Sequence, residues 1–427
     1  MKEIVPPIPV VVRNDHASIV EMFDRNVVPS YGRFPLAFSH GLGSRIWDVG
    51  GRAYLDLGGG IAVNSLGHAN AEITNALIGQ SKKLLHVSNL YYTDAQGRLA
   101  QKLVSLIGPG KVFFCNSGAE ANEGLYKVAR KFGHDTGRYE IITTINSFHG
   151  RTLGGIAATG QEKVKKGFEP IIPGFSHVPY NDLEAMRAAI TPCTAAILIE
   201  GIQGESGVTP ATPEYLLGLR QLCNERNILL LMDSVQCGHF RTGRFQSYQR
   251  ILEGVPGGEA FIPDGISMAK SLGGGFPIGA FWLRDPYGSL LSAGTHGTTF
   301  GGNLLGCAVA LKIIEVIERE NLAQHARELG AWWIEKLSAL AAQYPTVLKT
   351  VRGYGLMIGI EFQPEIPALQ KIEKPASLQI VQRLHDRGVL TIPSGTQIIR
   401  LLPALNLLQS EAEEGLAAIT ALVRELA

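Results

Sequence analysis

Two short runs, Ala195–Glu200 and Ile228–Asp233, are apolar at nearly every position. A strand with one wet face alternates apolar and polar residues, whereas a strand covered on both faces does not. These runs therefore read as inner strands of a sheet with cover on each side. Between them, Thr212-Pro213 reads as a helix N-cap with proline at the first helical position. Leu216, Leu219 and Cys223 then share one face of that helix. Lys111–Cys115 and Tyr139–Thr144 are further strand candidates, and a helical run through Arg130 follows the first. This alternation, which starts near residue 65, predicts an α/β fold with a mainly parallel sheet.

The flanks have a different character. Residues 45–57 predict a hairpin turning at Gly50-Gly51. Past residue 305 two amphipathic helices, Ala308–Arg319 and Leu322–Tyr344, lead to strands near 353–362 and 388–392. A last helix is expected from Ser410, with Glu413 closing a capping box and Leu416, Ile419 and Val423 facing inward. At 427 residues the chain exceeds one ordinary core. The expected organisation is an N-terminal segment of a small domain over 1–64, a large domain over 65–305 and the rest of the small domain over 306–427.

Charge narrows the ligand. Lys+Arg number 39 against Asp+Glu 38, a net charge of +1 that gives no basic excess for nucleic acid or anionic lipid. Small-molecule substrates are expected instead. The five cysteines are odd in number, widely spaced and without a CxxC pair, so neither a disulfide framework nor a metal site is expected. The start of the chain has an apolar run broken by Pro6, Pro7 and Pro9, unlike a signal peptide. No stretch reaches the roughly 20 apolar residues of a membrane span. The expected location is the cytoplasm.

Three features carry chemistry. Asn116-Ser117-Gly118-Ala119 follows a strand and opens a helix, where free backbone amides and the helix dipole suit a phosphate. The same Ser-Gly turn also serves as a helix cap with no ligand. Asp233 ends a buried strand, where open α/β sheets bind ligands; a turn or cap aspartate is the plainer alternative. Lys270 stands among small and apolar neighbours before the run Gly273-Gly274-Gly275. Desolvation there lowers an amine's pKa and favours Schiff-base formation, although most lysines simply sit on wet surfaces. The three together, in this order, are far more specific than any one.

On these residues the chain resembles the class III, or ω-, aminotransferases, pyridoxal 5′-phosphate (PLP) enzymes of fold type I. The resemblance runs from about Tyr31 almost to the C-terminus. It rests on Gly60-Ile-Ala-Val-Asn64 with Leu66-Gly-His68, the loop Ser117–Glu123, Phe148-His-Gly-Arg-Thr152, and Glu200-Gly-Ile-Gln-Gly-Glu205. Asp233–Gln236, Ala269-Lys270 and His296–Asn303 complete it. Within the class, Tyr31–Leu36 and Arg400–Pro403 are most similar to the branch acting on N2-acetylornithine.

The resemblance implies a large α/β domain, a smaller one built from both termini, and a homodimer with shared sites. It implies PLP bound as a Schiff base on Lys270, with Asp233 pairing with the ring nitrogen to keep the ring an electron sink. Ser117, Gly118 and Ala119 would hold the phosphate. Phe148 would stack on the ring, His149 would belong to the cofactor-binding set, Val235 would lie on the ring's other face and Gln236 on the ring hydroxyl. Thr299 would reach the phosphate of a neighbouring copy. Tyr31 and Arg151 would hold a substrate carboxylate, while Arg400 would bind the α-carboxylate of glutamate and pair with Glu205 in its absence. Gly60 stands where ornithine-acting relatives carry tyrosine, which implies room for an acylated amine. Enzymes of the same class acting on ornithine, succinylornithine or 4-aminobutyrate, and an aminomutase acting on glutamate 1-semialdehyde, share these features. Departures lie at Ser234, where the class has glutamate, at Gly201, where it has proline, and in Cys237–Arg241, where it is richer in glycine.

Overall fold

The two apolar runs lie side by side near the middle of a seven-stranded sheet. They are seen in a computed structural model that describes residues 15–370 and 372–427. The proline-broken start of the chain lies outside the described residues. The first strands, β1 (Phe38–Leu42), β2 (Arg45–Asp48) and β3 (Ala53–Asp56), are antiparallel, and β2–β3 is the expected hairpin.

The seven-stranded sheet begins with β4 (Gly110–Cys115), β5 (Glu140–Thr144), β6 (Phe175–Val178) and β7 (Thr194–Glu200). A short pair, β8 (Ile202–Gln203) and β9 (Thr209–Pro210), comes next. Then β10 (Leu229–Asp233), β11 (Gly265–Met268) and β12 (Gly279–Arg284) complete the large sheet in the order β4-β12-β11-β10-β7-β5-β6. Of these, β12 alone runs against its neighbours. Every residue of β7 and β10 is buried, which accounts for their unbroken apolar pattern.

Between β7 and β10, Thr212 caps the helix Pro213–Arg226 and its hydroxyl accepts from the Tyr215 N–H at 3.2 Å. The helix Gly118–Gly133 lies against β11 and β12. A Cβ on its Gly124 would stand 2.2 Å from the Phe281 ring, so glycine sets how closely helix and sheet approach. Register then places the chemistry. Asp233 is the partner of Glu200 on one side and of Ser267 on the other, three residues before Lys270.

The C-terminal part is more finely divided than its sequence suggests. The first helix starts at Leu304, four residues early, because the Asn303 side chain accepts from the Leu305 N–H at 2.9 Å. A second spans Leu322–Gln343. The strand expected at 353–362 is a hairpin of β13 (Leu348–Tyr354) and β14 (Met357–Phe362), reversed at Gly355 with φ +54°. The one expected at 388–392 is also two strands. Of these, β15 (Val389–Leu390) pairs in parallel with β3, while β16 (Ile392–Ser394) pairs with β17 (Ile398–Leu401). Both ends of the chain thus meet in the β1–β3 sheet. The final helix is Gln409–Leu426. Its N-terminal bond runs from the Leu408 N–H to Glu411 at 3.0 Å, not to Glu413, because the cap is Leu408, two residues before Ser410. Ile419 and Val423 are buried as expected, and Leu416 is half-buried.

Candidate active site

At the carboxyl edge of the parallel strands lies a cavity of about 420 Å³. Asp233 forms part of its wall. One carboxylate oxygen accepts from Asn122 Nδ2 at 2.7 Å and from His149 Nδ1 at 2.9 Å; the other accepts from the Val235 N–H at 3.0 Å. Burial pushes the Asp233 pKa up, but the His149 contact and these N–H donors outweigh it and hold the carboxyl below its ordinary value. The aspartate is therefore a fixed anion, with lone-pair capacity left on the oxygen that takes only one bond. His149 holds Asp233.

Lys270 follows β11 and enters a single 3₁₀ turn, Lys270–Leu272. Its φ is +48°, a left-handed value rarely adopted by a side-chain-bearing residue. The residue as a whole is half-buried and lines the cavity wall. Desolvation lowers its pKa, against the pull of Glu205, Asp233 and Glu200 and with the push of Arg400. A lysine poised towards its neutral form is the nucleophile a carbonyl needs.

Across the cavity the helix Gly118–Gly133 presents its N-terminus. Ser117 caps it, accepting from the Glu120 N–H at 3.2 Å. The Gly118 and Ala119 N–H groups make no bond among the described residues and remain for an anion. A Cβ at Gly118 would lie 2.8 Å from Val235 Cγ1, so glycine is required between helix and valine. Phe148 is half-buried on the wall, and the Arg151 guanidinium lies 5.6 Å from its ring centroid.

Arg400 comes from β17 and is only 1% exposed. It donates to Glu205 at 2.7 and 3.1 Å, to the Gln236 side-chain oxygen at 3.0 Å, and to the Gly204 and Pro393 carbonyls at 3.2 and 3.0 Å. Gln236 in turn donates to Glu205 at 3.1 Å. Burial works against the Glu205 carboxylate, but Arg400 wins and brings its pKa down to about 2. The arginine is thus locked by an internal carboxylate at the edge of the cavity.

The cavity brings together Ser117, Gly118, Ala119, Phe148, His149, Arg151, Glu205, Asp233, Val235, Gln236 and Lys270, with Arg400 directly behind Glu205. It does not include Tyr31, which is 75% exposed, or Thr299, which lines a separate small cleft with Asn89 and Gln96. Gly60 does not line it either. Gly59, Gly60, Ile61 and Ala62 have φ of +52°, +64°, +65° and +60°, a left-handed turn that delivers Val63 to the wall. Asp56 holds the start of that turn through the Gly58 and Gly59 N–H groups at 3.0 and 2.8 Å. Its other oxygen contacts His68 at 2.9 Å.

Among the wall residues that the sequence reading did not name as site residues are Asn122 and Glu200. Asn122 lies four residues after Gly118, on the same helix face, and this spacing was the available signal. Glu200 ends its apolar strand as Asp233 ends the next, so their symmetry was visible. The Gly201 departure has a local cause: any Cβ there would sit 2.3 Å from Ser247 Oγ, which contacts Cys237 Sγ at 3.2 Å. Nothing in the structure explains Ser234, whose buried hydroxyl has no partner among the described residues.

A fixed carboxylate, a desolvated amine and a helix end with two free N–H groups suit a ligand carrying a cationic ring, an aldehyde and a phosphate. Fold and site together define a PLP enzyme of fold type I. The chain belongs to the class-III aminotransferases, whose family profile matches residues 27–423. It is 42% identical to the acetylornithine aminotransferase of Gloeobacter violaceus, over 94% of this chain and 96% of that one. Among solved structures it is similar to the ornithine aminotransferase of Toxoplasma gondii, which was seen with partial PLP occupancy. That match has a TM-score of 0.88 and 30% identity over 96% of this chain and 95% of that one. The acetylornithine aminotransferase of Elizabethkingia anophelis gives a TM-score of 0.82 and 28% identity, over 96% and 99%.

Proposed function

We propose that this chain moves the δ-amino group of N2-acetylornithine to 2-oxoglutarate, yielding N-acetylglutamate 5-semialdehyde and glutamate. The observation that carries this reading is the locked pair Arg400–Glu205 beside a desolvated Lys270. Two unlike substrates must use one site in turn. Glutamate brings an α-carboxylate that can claim Arg400, while the acylated amine does not need it and leaves Glu205 in place. The 42% identity to an acetylornithine aminotransferase over nearly the whole chain supports the choice of amine.

When bound, PLP supplies an electron sink for the carbanion formed as the substrate loses its α-type proton. In this reading Ser117 and the Gly118 and Ala119 amides hold its phosphate, and Phe148 and Val235 confine its ring. Gln236 bonds the ring hydroxyl, and Asp233, kept ionised by His149 and Asn122, pairs with the ring nitrogen. Lys270 Nζ, at the cavity wall, would serve as the base that takes the proton from the substrate carbon. Arg151, on the cavity wall, would bind the substrate carboxylate at the far end.

The same reading makes the enzyme a homodimer, with Thr299 serving the phosphate site of the neighbouring copy, and divides each chain at 64/65 and 305/306. Its location is cytoplasmic; among the described residues no helix is long and apolar enough to cross a membrane.

The test is a donor screen with 2-oxoglutarate as acceptor. Acetylornithine should exceed ornithine in kcat/KM by about tenfold or more, about 1.4 kcal/mol of transition-state binding. Borohydride reduction and peptide mapping should put the cofactor on Lys270. A label on another lysine would sink the mechanism, and a preference for ornithine or 4-aminobutyrate would sink the substrate.

A further inference from the structure

We infer that Glu200 is a positioning residue whose single carboxylate ties together the loop carrying Phe148 and the loop carrying Glu205. One oxygen accepts from the Phe148 N–H at 2.9 Å and the other from the Gly204 N–H at 3.2 Å. The first loop supplies Phe148, His149 and Arg151 to the cavity. In the second, the Gly204 carbonyl accepts from Arg400 at 3.2 Å and from Ser394 at 3.3 Å. Glu200 thus links the ring-facing wall to the Arg400–Glu205 lock.

The linkage needs a carboxylate. Two backbone donors from different loops converge on one side chain, and only a carboxylate offers an acceptor oxygen to each. A glutamine of equal length would turn its NH₂ towards one N–H. The position is costly for an acid, since burial and the neighbouring Asp233, against the effect of His149, push the Glu200 pKa up to about 7. Its strand position is fixed independently, because Tyr180 donates to the Glu200 carbonyl at 2.7 Å. The side chain can therefore change without moving β7.

This inference rests on the reading of Arg400 as the α-carboxylate site. Glu200→Gln should keep the shorter bond to Phe148 and abandon Gly204. Loss of the Gly204 tether frees the carbonyl that orients Arg400, so the expected result is a KM for glutamate raised at least tenfold, a larger factor than any fall in kcat. Glu200→Asp keeps the charge but spans only one loop, so it should raise the same KM. Wild-type KM in both variants would overturn the inference. So would a fall in kcat at unchanged KM, which would point to proton transfer, or failure of both to give a cooperative melt, which would make Glu200 a folding determinant. If the wild-type chain turns over no glutamate, the reading of Arg400 fails separately. The tether is then judged by hydrogen exchange in peptides spanning 145–151 and 201–207. The 201–207 peptide should exchange faster in Glu200→Gln than in wild type while 145–151 keeps its protection, and unchanged protection in 201–207 would overturn the inference.

Discussion

Replacing Glu205 with glutamine should act in opposite directions on stability and on glutamate binding. In the folded chain Arg400 holds the Glu205 pKa at about 2, against an ordinary value of 4.5. At 1.36 kcal/mol per pKa unit this corresponds to about 3 kcal/mol. The Glu205 side chain is 27% exposed, and water trims the figure to about 2–3 kcal/mol. Removing a buried partner ordinarily costs about 3–5 kcal/mol, but Arg400 keeps Gln236 and two carbonyls as acceptors. A folded pKa below the unfolded one gives stability that is present above pH 4.5 and lost as pH falls towards 2. Denaturant unfolding should therefore find Glu205→Gln less stable than wild type by about 2–3 kcal/mol at pH 7, with the gap closing between pH 4.5 and 2. The same bond must open before a substrate carboxylate can take Arg400. The KM for glutamate should therefore fall in the variant, by threefold or more, while that for acetylornithine does not. A stability gap independent of pH, or a raised KM for glutamate, would refute the reasoning.

Three further outcomes follow from the geometry. Gly118→Ala should weaken cofactor binding about tenfold or more, because its Cβ meets Val235 at 2.8 Å; absorbance titration of Gly118→Ala with and without Val235→Ala should show recovery in the double variant, and independent effects would disprove the contact. Asp233→Asn should lower kcat by a hundredfold or more, since one carbonyl cannot serve Asn122, His149 and Val235 together and the carboxamide carries no charge; wild-type single-turnover rates would count against it. Mixing Thr299→Ala with Lys270→Ala chains should give heterodimers with one site carrying both defects and one carrying neither, and a monomeric active enzyme in sedimentation would contradict the shared site.

The large sheet was legible because burial writes itself into composition. The unbroken apolar runs marked β7 and β10, and Thr212-Pro213 marked the helix between them. The strands of that sheet that escaped are β6, β11 and β12: serine and histidine break the apolar pattern of β6 and serine that of β11, whereas β12 carries a short apolar run, Ala280–Leu283, that the sequence reading passed over. In the C-terminal part, one expected strand proved to be a hairpin and another split between two sheets. Both errors arise because a reversal at Gly355 or a change of sheet after Leu390 depends on partners distant in sequence. The same limit hid the role of His149. Its neighbours along the chain say nothing of Asp233, 84 positions away, and only the strand register brings them together.

At Gly60 the backbone gives a second physical reason for glycine beside the room it leaves. Its lack of a side chain suggests space for a bulky acylated amine, yet the residue lies off the cavity wall in a left-handed turn. A tyrosine there would adopt an unfavourable φ, so reduced activity in Gly60→Tyr would mix backbone strain with lost volume. The strain already present is considerable, because Ile61 and Ala62 are also left-handed, at about 1–2 kcal/mol each. Asp56 offsets part of it by binding the Gly58 and Gly59 N–H groups, and Gly59 fits where a Cβ would strike the Leu402 carbonyl at 2.5 Å. The net effect of this arrangement is to place Val63, not Gly60, on the wall that a substrate meets. Val63 is the residue of this turn that lines the cavity, with the turn as its rigid support.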